Sequence, residues 1–146
     1  SGTLLIERAA AAPATRIIGL DIGPHALECA ARNIAASGYG DRIELHRWDA
    51  CHLPLPDRSV DALCADLPFG HIVGSAAKNR ILYPRIMCEA ARIARSGALF
   101  CALTHQVRLL EAVLRQSGGW TVERDIRVGL GGVYPRLFVL RRTGSP

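Results

Sequence analysis

Three acidic residues each follow a short segment that is typical of a β-strand. An Asp after a strand is often only a turn or helix-cap residue. Three such acids at successive strand ends are harder to explain in that way, because parallel α/β sheets bind ligands at the carboxyl ends of their strands. The acids and the segments before them are Asp21 after 17–20, Asp49 after 43–48 and Asp66 after 60–65. Their placement predicts a ligand site at one edge of a sheet.

The first two acids have the spacing and neighbours expected of an adenosine site. Gly2 lies 19 residues before Asp21. An acid about 20 residues after a Gly-rich turn can accept hydrogen bonds from both hydroxyls of a ribose. Asp49 can accept a hydrogen bond from an adenine amino group, and its neighbours Trp48 and Ala50 can add apolar and backbone contacts.

The most informative stretch is Asp66-Leu67-Pro68-Phe69-Gly70. A strand ends in an acid, a proline stiffens the turn, and an aromatic residue follows. The carboxylate and nearby backbone carbonyls can accept hydrogen bonds from an exocyclic amino group while Phe69 stacks on the ring. The stretch therefore predicts a site for a planar base. The alternative is that Pro68 only ends the strand and Phe69 belongs to the core.

Strand-like and helix-like segments alternate along the whole chain. The pattern predicts an α/β fold with a Rossmann-like, mainly parallel sheet and an antiparallel C-terminal hairpin. The predicted strands are 16–21, 43–48, 60–66, 98–103, 120–128 and 134–141, of which 16–21 and 60–66 are expected to be buried. The predicted helices are 3–12, one from Pro24 to Gly38, 82–94 with its end near Gly97, and one from Val107 to Gly118.

Composition limits the class of protein. A chain of 146 residues with 49% hydrophobic and 21% charged residues is expected to form one globular domain. No apolar run approaches the roughly 20 residues that span a bilayer, and no signal peptide is visible. The five cysteines have irregular spacing and no C-x-x-C pair, so no metal site is expected. These features favour a cytoplasmic location, or a nuclear one in a eukaryote.

With these motifs, the chain resembles the class I S-adenosylmethionine-dependent methyltransferases that modify exocyclic amino groups in RNA. Asp66–Gly70 resembles their [D/N]-[P/L]-P-[F/Y]-G motif. The whole chain is similar to the catalytic domain of THUMP-domain tRNA guanine-N2-methyltransferases. The further matching segments are 1–7, Asp21-Ile22, Trp48-Asp49-Ala50, Asn79-Arg80, Leu82-Tyr83-Pro84 and Gly131-Gly132.

The resemblance implies an S-adenosylmethionine cofactor, an RNA substrate that we expect to be tRNA, and a set of site residues. The implied catalytic residues are Asp66, Pro68 and Phe69. The implied cofactor-binding residues are Gly2, Thr3, Asp21, Ile22, Asp49, Ala50 and Asp66. The implied substrate-binding residues are Leu67, Gly70, His71, Lys78 and Arg80. The last three basic residues can meet RNA phosphates, and the net charge of +5 permits such a partner. A solvated loop and helix start is the alternative for them.

The resemblance has one gap. The first motif of that family is a strand that runs into Asp-Pro-x-Cys-Gly-Ser-Gly-Thr, and only Ser1-Gly2-Thr3 matches it here. Residues 1–146 are therefore expected to be a single catalytic domain without its first strand. This segment alone is expected to be inactive, whereas the full-length protein is expected to be an active methyltransferase. A THUMP domain or an accessory subunit is an expected partner in the full-length protein.

Three other functions remain open at the level of sequence. An adenine-N6 methyltransferase acting on DNA or RNA uses the same chemistry. A non-catalytic, methyltransferase-like binding subunit is the second alternative. A nicotinamide-dependent oxidoreductase shares the ribose-binding acid, but it gives no reason for Asp66–Gly70.

Overall fold

Helices alternate with strands along most of the chain in a computed structural model. The structure describes residues 1–68, 76–129, 132 and 134–144. The helices are α1 (Thr3–Ala11), α2 (Pro24–Ala36), α3 (Ala76–Ile93) and α4 (Val107–Ser117), with a short 3-10 turn at Gly40–Arg42. The strands are β1 (Ile17–Asp21), β2 (Ile43–Arg47), β3 (Val60–Asp66), β4 (Ala94–Thr104), β5 (Trp120–Arg127) and β6 (Arg136–Arg142). The chain divides into two compact units, Ser1–Leu53 and Pro54–Pro146.

The first unit is a β-α-β arrangement with a preceding helix. Strands β1 and β2 are parallel, and Asp21 is in register with Arg47. A right-handed crossover through a helix is the ordinary way to connect two parallel strands. Helix α1 approaches β1 closely at Gly19, where a Cβ atom would overlap the Leu5 side chain. The core of this unit consists of Ala9, Ile17, Ala30, Ile34 and Ile43.

The second unit contains a four-stranded sheet in the order β3-β4-β6-β5. Strands β3 and β4 are parallel, whereas β6 is antiparallel to both β4 and β5. The predicted C-terminal hairpin is therefore confirmed, and β6 is inserted between β4 and β5. Helices α3 and α4 contribute to a core that includes Tyr83, Met87, Phe100, Leu110, Trp120, Phe138 and Leu140.

The interpretation of β3 as a buried strand is wrong for one of its two faces. Leu63 and Ala65 pack against the core of the second unit. Ala62, Cys64 and Asp66 are exposed. Successive side chains of a strand point to opposite faces of the sheet, and the core that includes α3 and α4 meets only one of these faces.

The boundary between α3 and β4 also differs from the prediction. The helix ends at Ile93 and the strand begins at Ala94, without an intervening loop. The register in which β4 pairs with β3 shifts between Val60 and Ala62 of β3. Gly97 lies in this shift with a φ of 80°, a left-handed conformation that glycine adopts without steric cost. The glycine that we expected to end the helix therefore permits an irregularity inside the strand.

Helix α3 also begins earlier than predicted, at Ala76, and it contains Pro84. Proline has no N–H, so it cannot donate to the carbonyl four residues before it. Among the described residues, no helix is long and apolar enough to cross a membrane.

Candidate functional site

Two of the three predicted acids end neighbouring strands in the first unit. Asp21 is the last residue of β1, and Asp49 follows β2. The Asp21 carboxylate accepts a hydrogen bond from the Gly23 N–H at 2.8 Å. The Asp49 carboxylate accepts one from the Cys51 N–H at 2.8 Å. Both acids are exposed, so each turn fixes one carboxylate oxygen and leaves the side chain open to a ligand.

The neighbours of these acids add apolar surface and rigidity. The side chain of Ile22 is 65% exposed directly after Asp21. The Arg47 Nε donates to the Ile22 carbonyl at 3.2 Å, which connects this loop to β2. The ring of Trp48 stacks on the ring of His46 with centroids 4.1 Å apart. Two open carboxylates beside an exposed isoleucine suit the hydroxyls and the flat ring of an adenosine group, so these residues fit the expected cofactor.

The predicted glycine-rich segment is held against α2. Gly2 has a φ of 77° and precedes α1. A Cβ atom at Gly2 would lie 3.3 Å from atoms of Ala30, which is tighter than ordinary packing. Asn33 donates a hydrogen bond to the Ser1 carbonyl at 2.8 Å. Thr3 is exposed at the start of α1, and Ala50 is half-buried beside Asp49.

The third predicted acid, Asp66, ends β3 in the second unit. Although Asp66 is exposed as a residue, the surrounding protein partly desolvates its carboxyl and raises its pKa above the ordinary value, and the nearby charge of His105 opposes this shift. A carboxyl that is partly removed from water holds its proton more readily than a fully solvated one. Asp66 therefore has the character of a group that can take up a proton.

A buried hydrogen-bond network fixes the backbone two residues after Asp66. The Pro68 carbonyl accepts hydrogen bonds from the Asn79 side-chain amide at 2.7 Å and from the Tyr83 hydroxyl at 3.0 Å. The Tyr83 and Thr104 hydroxyls are 2.8 Å apart. Asn79, Tyr83 and Thr104 are fully buried. Because a carbonyl oxygen has two lone pairs, the Pro68 carbonyl is anchored and does not serve as a further acceptor.

The other residues predicted around Asp66 have different outcomes. The Leu67 side chain is buried in the core, and its N–H donates to the Leu103 carbonyl at 2.9 Å. Lys78 and Arg80 are exposed in the first turns of α3. The remaining predicted residues, Phe69, Gly70 and His71, lie outside the described residues.

The sequence did not predict the residues that hold the backbone of the candidate site in place. Asn79 and Tyr83 matched the family pattern without any assigned role. Thr104 and His105 lie at the carboxyl end of β4, so the rule that identified Asp66 could also have identified them. Asn33 lies inside a helix, and no sequence signal indicated that it contacts Ser1.

The network around Pro68 is expected to contribute measurably to stability. Tyr83→Phe removes one of two donors to the partly buried Pro68 carbonyl and leaves Thr104 without that partner. The free energy of unfolding in urea is expected to fall by about 1–3 kcal/mol. Tyr134→Phe is the matched control, because Tyr134 is 57% exposed, and it is expected to change stability by less than about 0.5 kcal/mol. Equal stabilities for the two variants would contradict the role given to this network.

Comparison with known proteins identifies the class of this chain. The family model described as UPF0020, the RMKL-like methyltransferase domain, matches residues 1–136. The chain therefore belongs to this family of methyltransferase domains. The α/β fold of class I methyltransferases that the sequence predicted is confirmed by structural similarity to TrmN from Thermus thermophilus. The two have a TM-score of 0.83 and 30% sequence identity over 96% of this chain and 40% of that chain.

Two relatives are named for the same kind of activity. The chain is 30% identical over 138 residues to tRNA (guanine(6)-N(2))-methyltransferase THUMP3 of Mus musculus, covering 86% of this chain and 27% of that protein. It is 41% identical over 104 residues to U6 snRNA (guanine-N(2))-methyltransferase THUMPD2 of Bos taurus, covering 70% of this chain and 20% of that protein. The chain thus spans about a quarter or less of these two relatives.

Proposed function

We propose that this domain transfers a methyl group from S-adenosylmethionine to the exocyclic N2 amino group of guanine in RNA, with tRNA as the expected substrate. The observation that carries the proposal is the Asp66 carboxylate, which ends β3 two residues before the anchored Pro68 carbonyl in a member of a methyltransferase family. The named activities of THUMP3 and THUMPD2 support guanine N2 as the acceptor.

The residues proposed to hold the cofactor belong to the first unit. Asp21 accepts hydrogen bonds from the ribose hydroxyls, and Asp49 accepts one from the adenine amino group. Ile22 and Ala50 contribute apolar contact to the ring, and the Gly2-Thr3 backbone permits close approach. S-adenosylmethionine supplies, when bound, a methyl group on a sulfonium that makes it an activated donor.

Asp66 is proposed to prepare the base and to receive its proton. The lone pair of an exocyclic amine is delocalised into the ring, which makes the nitrogen a poor nucleophile. A hydrogen bond from the amino N–H to the Asp66 carboxylate concentrates the lone pair on nitrogen. The nitrogen forms the new C–N bond as the methyl C–S bond of the sulfonium breaks, which leaves a neutral thioether. The nitrogen then loses a proton, which Asp66 takes up directly or through water. Phe69 is proposed to stack on the base, and Pro68 stiffens the turn.

A substrate pair that differs in one amino group tests this proposal. Inosine is guanosine without the N2 amino group, so a guanosine-containing RNA and its inosine analogue have the same backbone. The protein is expected to transfer a methyl group to the first RNA and not to the second. Equal transfer to both RNAs would contradict guanine N2 as the acceptor. Transfer to an adenosine in either RNA would favour the adenine-N6 alternative.

A further inference from the structure

A cleft in the second unit lies between the start of α3 and the start of α4. It has a volume of about 560 Å³ and is lined by Arg80, His105, Gln106, Val107, Arg108 and Leu109. Two of its lining residues are arginines with exposed side chains, one from each helix. Among the residues that the structure describes, no acidic residue lines this cleft. The cleft therefore concentrates positive charge at one place on the surface.

Four other arginines of the second unit differ from this pair because they have acidic partners. Arg92 binds Asp57 and Glu89 at 2.6 and 2.7 Å, and Arg95 binds Asp61 at 2.5 Å. Arg136 and Arg141 pair with Asp125 and Glu123. In the part of the chain that the structure describes, Arg80 and Arg108 form no ion pair. Their guanidinium groups are thus available to an external anion.

The position of the cleft relates it to the proposed base-binding residue. His105 lines the cleft and is close enough to Asp66 for its charge to affect that carboxyl. Arg80 directly follows Asn79, which donates to the Pro68 carbonyl. Helix α4 begins at the cleft with no acidic residue in its first turn, so its positive dipole end adds to the two arginines. An anion bound in the cleft would therefore lie beside the residues that receive the base.

We propose that Arg80 and Arg108 bind a backbone phosphate of the RNA strand that carries the target guanine. This assignment rests on the proposed function and extends it to the contact that holds the strand. The planar guanidinium of arginine matches the oxygens of a phosphate and can bind it through two parallel hydrogen bonds. Such a contact fixes the position of the strand without reading its sequence.

The salt dependence of RNA binding tests the assignment. Each lost phosphate contact lowers the slope of log K against log salt concentration by about 0.7 for a single strand. The Arg80→Ala, Arg108→Ala double variant of the protein loses the contact with one phosphate, so it is expected to lose about 0.7 from this slope with a short single-stranded RNA. At 0.1 M salt its affinity is expected to fall about 5-fold. The corresponding double substitution to lysine is expected to retain most of the slope, because it retains both charges.

Arg124→Ala is the matched control, since Arg124 is an exposed arginine on β5 at the far end of the same sheet order. It is expected to leave the slope unchanged. An unchanged slope in the double variant, or an equal loss in the control, would overturn the assignment. Binding is measured with both the guanosine and the inosine RNA, whose backbones are identical. The two proposals can fail separately. If the double variant shows the smaller salt slope with both RNAs, but the unaltered protein methylates neither RNA, the proposed function fails and the phosphate contact stands.

Discussion

Replacing Asp66 with alanine is expected to lower the single-turnover rate of methyl transfer by about 10²–10⁴-fold, the range for loss of a positioned proton acceptor. The affinity for S-adenosylmethionine, measured by calorimetry, is expected to change little, because the proposed partner of Asp66 is the base. Single-turnover measurement with saturating RNA separates this step from binding and product release.

An asparagine at position 66 separates two parts of this role. Asp66→Asn keeps an oxygen that accepts a hydrogen bond, but it cannot take up a proton at ordinary pH. Because burial raises the pKa of Asp66, the unaltered protein is expected to lose activity as pH falls through a value above that of a solvated Asp. The residual activity of Asp66→Asn is expected to lack this acid limb.

Asp61→Ala is the control for both variants, because Asp61 is an exposed acid on the same strand. Its ion pair with Arg95 lies on the surface, and such pairs contribute about 0–1 kcal/mol. The control is expected to keep near-normal activity. An Asp66→Ala protein with a single-turnover rate close to that of the control would remove Asp66 from the mechanism.

The second large effect is expected on cofactor affinity. Asp21→Ala removes a charged acceptor, which costs about 1.5–3 kcal/mol and corresponds to roughly one to two decades in Kd. Calorimetry with S-adenosylmethionine measures this loss directly.

Two further variants show whether the lower cofactor affinity of Asp21→Ala results from a lost contact with the ligand or from a disturbed turn. Asp21→Asn keeps an oxygen for the Gly23 N–H, and so preserves the turn, but it removes the charge. It is expected to fall between the unaltered protein and Asp21→Ala. Asp41→Ala alters an exposed acid of the 3-10 turn in the same unit and is expected to bind normally. The ribose assignment is wrong if Asp21→Ala binds as tightly as Asp41→Ala.

The order of elements could be predicted because its signals are local. The apolar run before Asp21 and the helical spacing after Pro24 each depend on neighbouring residues, and both elements form where expected. The exposure of Cys64 could not be predicted in the same way. An apolar run shows that a strand forms, but only tertiary packing decides which of its faces is covered.

The candidate site also contains some residues that local sequence signals predict and others that only tertiary structure reveals. The acids after strands were visible in sequence because the fold places ligands at strand ends. The hydrogen bonds that anchor the Pro68 carbonyl were not visible in the sequence. Their donors, Asn79 and Tyr83 of α3, lie 11 and 15 positions after Pro68. Nor could spacing show that Arg80 and Arg108, far apart in sequence, line the same cleft.

The identity of the methylated nucleoside tests the central claim most directly. The protein is incubated with a guanosine-containing RNA and S-adenosylmethionine that carries a deuterated methyl group. The RNA is then digested to nucleosides, which are identified by mass spectrometry. The expected product is deuterated N2-methylguanosine, formed by the unaltered protein and strongly reduced with Asp66→Ala. Labelled N6-methyladenosine in its place, or the same yield of N2-methylguanosine from both proteins, would contradict the account.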